Sequence, residues 1–438
     1  MDPNLPIPHD LPLPLPAPSW LLQILLVGSF VVHILFVNLL IGGTLLTAIF
    51  QWLGRNHRGY DALAHRLGDT ITVNKSMAVV LGVGPLLTLS VLYTTQFYAA
   101  NALTGMAWLT VVPLVTIGFL LTYAHKYLWH AMAEHQGLHR CLIWAAALLF
   151  LAVPFIFLAN VNLMLFPERW DEIHTFLDAV LLPNVIPRWL HVIAASLALT
   201  GLFIVWLTRR SGWTDLPDLP TVRVRRIGYG LTFAVTGIQF VIGQLVLFTL
   251  PTAGLSGPLI IVLGLAVLCA VPAMWFLWRE IAERNESHIG RFFWPIVGCL
   301  FATVIGMATV RHLYRETILA PQRAQIATKT SEYQSRVAKA QKLGPVRHEP
   351  SGPPGFAAFQ TNCGACHAID RKVVGPSMVE VAVIYAGKSP DFIAYVRAPT
   401  KKRPDFPTMP PMGHVSANDL TQIAKWVQTL NPPTKETP

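Results

Sequence analysis

The sequence predicts an all-α protein with eight membrane-spanning helices followed by a small α-helical domain, and three observations lead to this fold class. Of the 438 residues, 53% are hydrophobic and only 13% are charged, and the mean hydropathy is +0.48, whereas soluble proteins carry about 25% charged residues. Apolar runs recur through the first three quarters of the chain. After Thr317 the composition becomes polar and basic. The chain therefore divides into a membrane part and a polar C-terminal part.

The apolar runs set the number of membrane helices. A helix needs about 20 predominantly apolar residues to cross a bilayer. Helices are expected because unpaired backbone groups are costly in hydrocarbon. We place the eight spans near residues 20–53, 73–100, 104–128, 141–166, 187–208, 228–250, 256–278 and 292–314.

Loop charges predict the orientation of these spans. The connections after spans one, three, five and seven carry most of the loop arginines, which are Arg55, Arg58, Arg66, Arg140, Arg209, Arg210, Arg223, Arg225, Arg226, Arg279, Arg284 and Arg291. The other connections contain little more than Arg169 and Arg188. Because positively charged loops stay in the cytoplasm, eight spans place both termini in the periplasm. The sequence thus predicts a multi-pass protein of the bacterial inner membrane, with the lipid bilayer as a partner.

Two further features bear on location and partners. The proline-rich segment 1–19 contains no Lys or Arg, so it lacks the basic start of a secretory signal. We therefore expect a retained periplasmic tail before the membrane domain of residues 20–317. The net charge of +10 is explained by loop arginines, so nucleic acid is not expected as a partner.

The C-terminal part contains a haem attachment motif. Residues 318–345 are rich in helix formers, which predicts a helical linker, and residues 346–438 are expected to form a periplasmic domain. Within it the stretch TNCGACHAIDRKVVGP carries C-x-x-C-H at Cys363, Cys366 and His367. At this spacing two thiols bond to a haem and the histidine ligates its iron. One covalent haem c is therefore expected.

A methionine is the expected sixth ligand of that iron. It lies in a proline-braced loop before a helix that is predicted to start near Ser416, and a thioether ligand raises the haem potential and suits electron transfer. Met409 is favoured over Met412. The stretches CGACHAIDRKVVGP, TMPPM and IAKWVQTL resemble class I bacterial cytochromes c over about 85 residues. That resemblance implies Met409 as axial ligand and the Pro376 carbonyl as the group that orients His367.

Three histidines in the membrane part are candidate metal ligands. Ionisable groups inside spans are costly and usually functional. His33 lies towards the outer end of span one, His191 begins span five and His312 ends span eight. Three histidines from three helices at one level indicate one to three haem b groups, with packed, hydrogen-bonded histidines as the alternative. His125 and His130 fall at the inner end of span three, where an ordinary interfacial role is favoured.

Three arginines are predicted at the depth of these histidines. They are Arg188, Arg311 and Arg315. A guanidinium group binds a carboxylate through two parallel hydrogen bonds, so each is a candidate for binding a haem propionate. Extension of the side chain to the membrane interface is the alternative.

The membrane part resembles the large subunit of cytochrome bd quinol oxidases over about residues 20–315. The resemblance rests on VVHILFVNLLIGGTLLTAIF, HRCLIWAAALLFLAVPFIFLANVNLMLFP, LLPNVIPRWLHVIAASLALTGLFIV and VRHLYRE, which are similar in order to the family's first, fourth, fifth and last conserved segments. It implies that His33 and His191 fall on haem-ligating histidines, the second at the low-spin haem b. His312 stands where the family has a haem-ligating glutamate, and Arg315 where it has an arginine.

The sequence also departs from that family. Thr95 stands where the oxidases carry a glutamate at the oxygen-reactive haem. Span seven lacks the methionine of the low-spin site, and PTAGLSG replaces a long quinol-binding loop. These departures favour an electron-transfer subunit of an oxidoreductase over an oxygen reductase.

The sequence therefore predicts a membrane-bound cytochrome in a respiratory complex. It would transfer electrons between haem b groups in the outer half of the membrane, haem c, and a quinone pool or a periplasmic redox protein or dehydrogenase subunit. A hetero-oligomeric complex or a dimer is expected. One alternative is a bd-type terminal oxidase with a fused haem c input domain, and another is a membrane anchor for a cytochrome c domain.

Overall fold

Helices account for the regular structure of both parts of the chain. The computed structural model describes residues 15–343 and 352–430, and within these ranges it contains helices and no β-strand. The all-α prediction is confirmed. The chain divides into two units between Ser335 and Arg336. Most of the proline-rich tail, the end of the expected linker and residues 431–438 lie outside the described residues.

Eleven α-helices lie wholly or mainly in the membrane unit among the described residues, the last of them extending past Ser335. They are α1 (Ser19–Leu53), α2 (Arg58–Val80), α3 (Val83–Leu92), α4 (Thr94–Leu109), α5 (Val111–Tyr127), α6 (Gln136–Leu163), α7 (Phe176–Leu181), α8 (Val185–Leu207), α9 (Thr221–Phe248), α10 (Gly257–Ala282) and α11 (Phe293–Leu343). Seven helical stretches, with α4 and α5 counted as one, are long and apolar enough to cross a membrane, or eight when the bent pair α2–α3 is one span. The expected multi-span bundle is therefore present.

The second span begins earlier than the sequence predicted. Helix α2 starts at Arg58 and not near residue 73, because its first half is amphipathic. Its buried apolar side chains recur every four residues and join a core cluster with α1: Leu63, Leu67 and Ile71. The remaining positions include four charged residues, Arg58, Asp61, Arg66 and Asp69, so hydropathy alone missed this half of the helix.

The helices after α2 are broken at defined residues. Tyr93 separates α3 from α4 with non-helical dihedral angles (φ −131°, ψ 44°), and Gly105 interrupts α4 with φ 45°. A positive φ is unstrained in glycine because it has no Cβ. Helix α11 is unbroken over 51 residues, so residues 318–343 of the expected linker form its second half.

The C-terminal unit packs four short helices around one core. They are α12 (Phe356–Asn362), α13 (Met378–Ile384), α14 (Ser389–Arg397) and α15 (Ala417–Gln428). The rings of Phe359 and Trp426 join α12 to α15 at 4.7 Å between centroids. Gly355 precedes α12 with φ 96°, and a Cβ there would lie 2.1 Å from the Gln422 carbonyl oxygen. Only glycine permits this close crossing.

Candidate haem-binding sites

The C-x-x-C-H motif forms the turn that follows α12. Cys363 is the C-cap of α12, and its carbonyl accepts hydrogen bonds from the backbone N–H groups of Cys366 (3.1 Å) and His367 (3.0 Å). Both cysteines are free thiols. Burial, together with the neighbouring Cys366, raises the pKa of the Cys363 thiol to about 11. The two thiols and the imidazole are thus held on one short turn, as attachment to a haem requires.

The imidazole of His367 is held by the loop that ends at Pro376. Its Nδ1 lies 2.9 Å from the Pro376 carbonyl oxygen. Because a carbonyl only accepts, Nδ1 must donate, and Nε2 then carries the lone pair that binds a metal. Gly375 lies directly against the ring, since a Cβ there would be 2.3 Å from His367 Cε1. The loop thereby determines both the tautomer and the orientation of the ring.

Both candidate methionines lie beside the core of the C-terminal unit. Met409 and Met412 are half-buried and contact the core cluster of this unit. The backbone N–H of Met412 donates to the Val396 carbonyl at 3.1 Å, which ties the end of the loop to α14. Met409 is followed directly by Pro410, whose ring restricts the backbone. The donor set of this unit fits a haem with one histidine and one methionine ligand.

In the membrane unit, the three candidate histidines share an unusual environment. His33 on α1, His191 on α8 and His312 on α11 are each half-buried. The Nδ1 atom of each is nonetheless buried and finds no hydrogen-bond partner among the described residues. Buried polar groups are normally paired, and an unpaired one is energetically costly. These residues therefore fit a bound group that interacts with imidazole rings.

His33 lies against the break between α2 and α3. A Cβ at Gly82 would lie 2.8 Å from Cε1 and 3.2 Å from Nδ1 of His33. The ring also approaches the backbone of Ala78, one turn earlier in α2. The absence of a side chain at Gly82 thus makes room for the imidazole.

The three candidate arginines lie close together in this region. Arg188 precedes His191 by three residues and Arg315 follows His312 by three residues, so each pair shares a helix face. Arg188, Arg311 and Arg315 interact electrostatically with one another. None of them forms an ion pair within the described part of the chain. Clustered, unpaired guanidinium groups in a membrane span fit an anionic ligand.

Arg311 connects this cluster to α1. Its guanidinium carbon lies 4.8 Å from the centroid of the Phe30 ring, and Phe30 is one helical turn from His33. The structure therefore brings together the middle of α11, the start of α8 and the Phe30 turn of α1.

A polar cluster beside His312 was not found from the sequence. The Tyr93 hydroxyl donates to the Glu316 carboxylate, which also pairs with Arg323 at 2.8 Å. Glu316 follows His312 by four residues, and this helical spacing could have indicated that the two side chains lie on one face. Tyr93 lies 223 residues from its partner, and no local pattern indicates such a contact.

The inner histidines form a separate, hydrogen-bonded group. His125 Nε2 lies 3.1 Å from Gln51 Oε1, and Gln51 Nε2 lies 2.7 Å from His139 Nδ1. The two imidazole rings stack at 4.3 Å. His130 is exposed. The buried pair joins α1, α5 and α6, and its polar atoms have partners, so it fits a structural role.

Comparison with known proteins identifies the C-terminal domain. The cytochrome c family model matches residues 354–431. Cytochrome c-552 of Nitrosomonas europaea is 37% identical over 78 residues, which are 17% of this chain and 74% of that protein. Cytochrome c-551 of Azotobacter vinelandii is 39% identical over 70 residues, which are 15% of this chain and 84% of that protein. A covalent haem c follows from this relationship.

The membrane unit has a solved structural relative. The structure of bd oxidase from Geobacillus thermodenitrificans matches with a TM-score of 0.52 and 16% identity, over 74% of this chain and 96% of that chain. This likeness shows the fold and confirms the one expected from the resemblance. The protein is a multi-pass membrane cytochrome in electron transfer. Through its C-terminal domain, the chain belongs to the cytochrome c family.

Proposed function

We propose that this protein relays electrons between haem b bound at the outer ends of its membrane helices and the covalent haem c of its C-terminal domain. Two observations support the proposal: three half-buried histidines have unpaired Nδ1 atoms, and three arginines without ion-pair partners among the described residues lie close together on the helices that carry His191 and His312. When bound, the haems supply one-electron redox centres. The chain's own residues bind and orient them.

In the membrane unit, His33, His191 and His312 are the proposed iron ligands of one to three haem b groups. Each histidine lies on a different helix, so the packing of the helices, and not a flexible loop, determines the distances between the proposed ligands. Arg188, Arg311 and Arg315 are the proposed partners of the haem propionates. Pairing with carboxylates would offset the cost of gathering three positive charges within the bundle.

In the C-terminal unit, Cys363 and Cys366 are the proposed thioether attachment points. His367 is the proposed proximal ligand, held by its hydrogen bond to the Pro376 carbonyl, and Met409 is the proposed axial methionine. A methionine ligand raises the haem potential, which suits exchange of electrons with a periplasmic redox protein or dehydrogenase subunit.

The relay is proposed to operate at the periplasmic side of the bacterial inner membrane. The loop arginines that follow α1, α5, α8 and α10 support this orientation, because positively charged loops stay in the cytoplasm and both termini would then lie in the periplasm. The other redox partner is proposed to be a quinone pool or a further subunit, in a hetero-oligomeric complex or a dimer. The domain limits are proposed as 1–19, 20–317, 318–345 and 346–438.

A terminal oxidase is the second candidate, because the membrane unit shares its fold with a bd oxidase. Thr95 argues against it, since the resembled family has a carboxylate there. A reduced-minus-oxidised absorption spectrum of the purified protein separates the candidates. Haem b and haem c bands without a haem d band support the relay. A haem d band or carbon monoxide binding supports the oxidase, and haem c alone supports a membrane anchor for the cytochrome c domain.

A further inference from the structure

An open apolar groove of about 510 Å³ lies between α1 and α6. Its walls are the side chains of Ile49, Trp52, Leu53 and Trp144. Trp52 and Leu53 are 50% and 43% exposed, so the groove opens onto the outside of the helix bundle. On a membrane-spanning surface, the bilayer is the solvent and hydrocarbon fills such a groove. The apolar walls leave the class of lipid undetermined.

Two arginines at one end of the groove indicate that class. Arg55 follows the end of α1, and its guanidinium carbon lies 4.3 Å from the centroid of the Trp52 ring. Arg140 precedes Trp144 by four residues, so both side chains lie on one face of α6. Trp52 and Leu53, at the end of α1, line the same groove as Trp144, near the start of α6. Both arginines therefore lie at the same membrane boundary. The groove is therefore apolar along the helices and cationic at its end.

The charge at this end is not neutralised by the protein. Arg55 and Arg140 form no ion pair in the part of the chain that the structure describes. Asp61, which is half-buried, is the carboxylate that interacts electrostatically with Arg140. One carboxylate beside two guanidinium groups leaves a net positive charge.

We propose that this groove binds one phospholipid with an anionic head group. An acyl chain lies against Ile49, Leu53 and Trp144, and the guanidinium groups of Arg55 and Arg140 hold the phosphate through paired hydrogen bonds. Tryptophan side chains suit the boundary because they combine an apolar ring with a polar N–H group. The site is separate from the candidate haem ligands and does not depend on the relay.

The test is native mass spectrometry of the full, haem-loaded protein in detergent with phosphatidylglycerol or phosphatidylcholine of identical acyl chains. We expect the protein to retain phosphatidylglycerol preferentially. Each of Arg55→Gln and Arg140→Gln is expected to weaken that binding by about fivefold, since a basic side chain near an anionic lipid surface contributes on the order of 1 kcal/mol. The matched control is Arg284→Gln, an exposed arginine of the loop after α10, which should leave the preference unchanged.

Two further variants separate charge from fold. Arg55→Lys with Arg140→Lys keeps the charge but loses the paired geometry, so phosphatidylglycerol preference should be intermediate. Trp144→Leu should weaken both lipids alike, because it shortens the apolar wall. The proposal is overturned if the two lipids bind equally, or if the Gln variants bind phosphatidylglycerol as the unsubstituted protein does. Displacement of phosphatidylglycerol by a quinone at equal concentration would also overturn it.

Discussion

Met409 and Met412 lie three residues apart in one loop, and only the side chain that reaches the iron should matter to the haem c spectrum. Met409→Ala should abolish the weak long-wavelength charge-transfer band of methionine-ligated ferric haem, because alanine offers no thioether. Met412→Ala is the matched control and should retain the band. Absorption spectra of the oxidised variants measure this. Loss of the band in Met412→Ala alone would show that the ligand has been assigned to the wrong methionine.

His191 belongs to the proposed haem b site and has no part in haem c attachment. His191→Ala should therefore remove haem b absorption from the reduced spectrum while the haem c bands keep their intensity. His130→Ala, which replaces an exposed histidine of the same unit, should change neither. If single substitutions of His33, His191 and His312 all leave haem b absorption unchanged, the ligands lie elsewhere in the bundle.

At the scale of the helix, Gly82 determines how closely the α2–α3 break approaches α1. Gly82→Ala would insert a Cβ 2.8 Å from Cε1 of His33. Overpacking of this kind costs about 1–3 kcal/mol, so the His33 ring should move and haem b absorption should shift or weaken. Gly28→Ala is the matched control on α1, because nothing lies within 4 Å of a Cβ there. Identical haem b spectra for the two variants would exclude His33 as a ligand at this position.

The same elements show what the sequence could and could not predict. Apolar runs located most of the spans, because a bilayer imposes one length on every crossing helix. The start of α2 was missed because Leu63 and Leu67 are buried in a core cluster with α1 while charged residues on the same helix, such as Asp61 and Arg66, lower its mean hydropathy. Spacing identified His367 through a local motif, and the resemblance to class I cytochromes c indicated its carbonyl partner, Pro376. The Tyr93–Glu316 contact could not be predicted from the sequence, because the two residues are 223 positions apart.

The whole molecule should have a fixed direction across the membrane. A reporter that is active only outside the cytoplasm should be active when fused after the C-terminal domain, because the arginine-rich loops hold the opposite side in the cytoplasm. The same reporter inserted after Arg55, in the loop between α1 and α2, should be inactive. The complementary, cytoplasm-only reporter should show the reverse pattern. Activity of that second reporter at the C-terminus would overturn the proposed topology.

We expect the whole molecule to relay electrons and not to reduce oxygen. The most direct test is the rate of oxygen consumption by the purified, haem-loaded protein with reduced quinol or reduced cytochrome c as donor. We expect only a slow uptake, below enzymatic rates, because Thr95 supplies no carboxylate and His312 is proposed to ligate the iron. Donor electrons should instead appear as reduced haem b and haem c bands. Oxygen consumption on the order of 10 per second or more, a rate typical of enzymes, would contradict the relay and support a terminal oxidase.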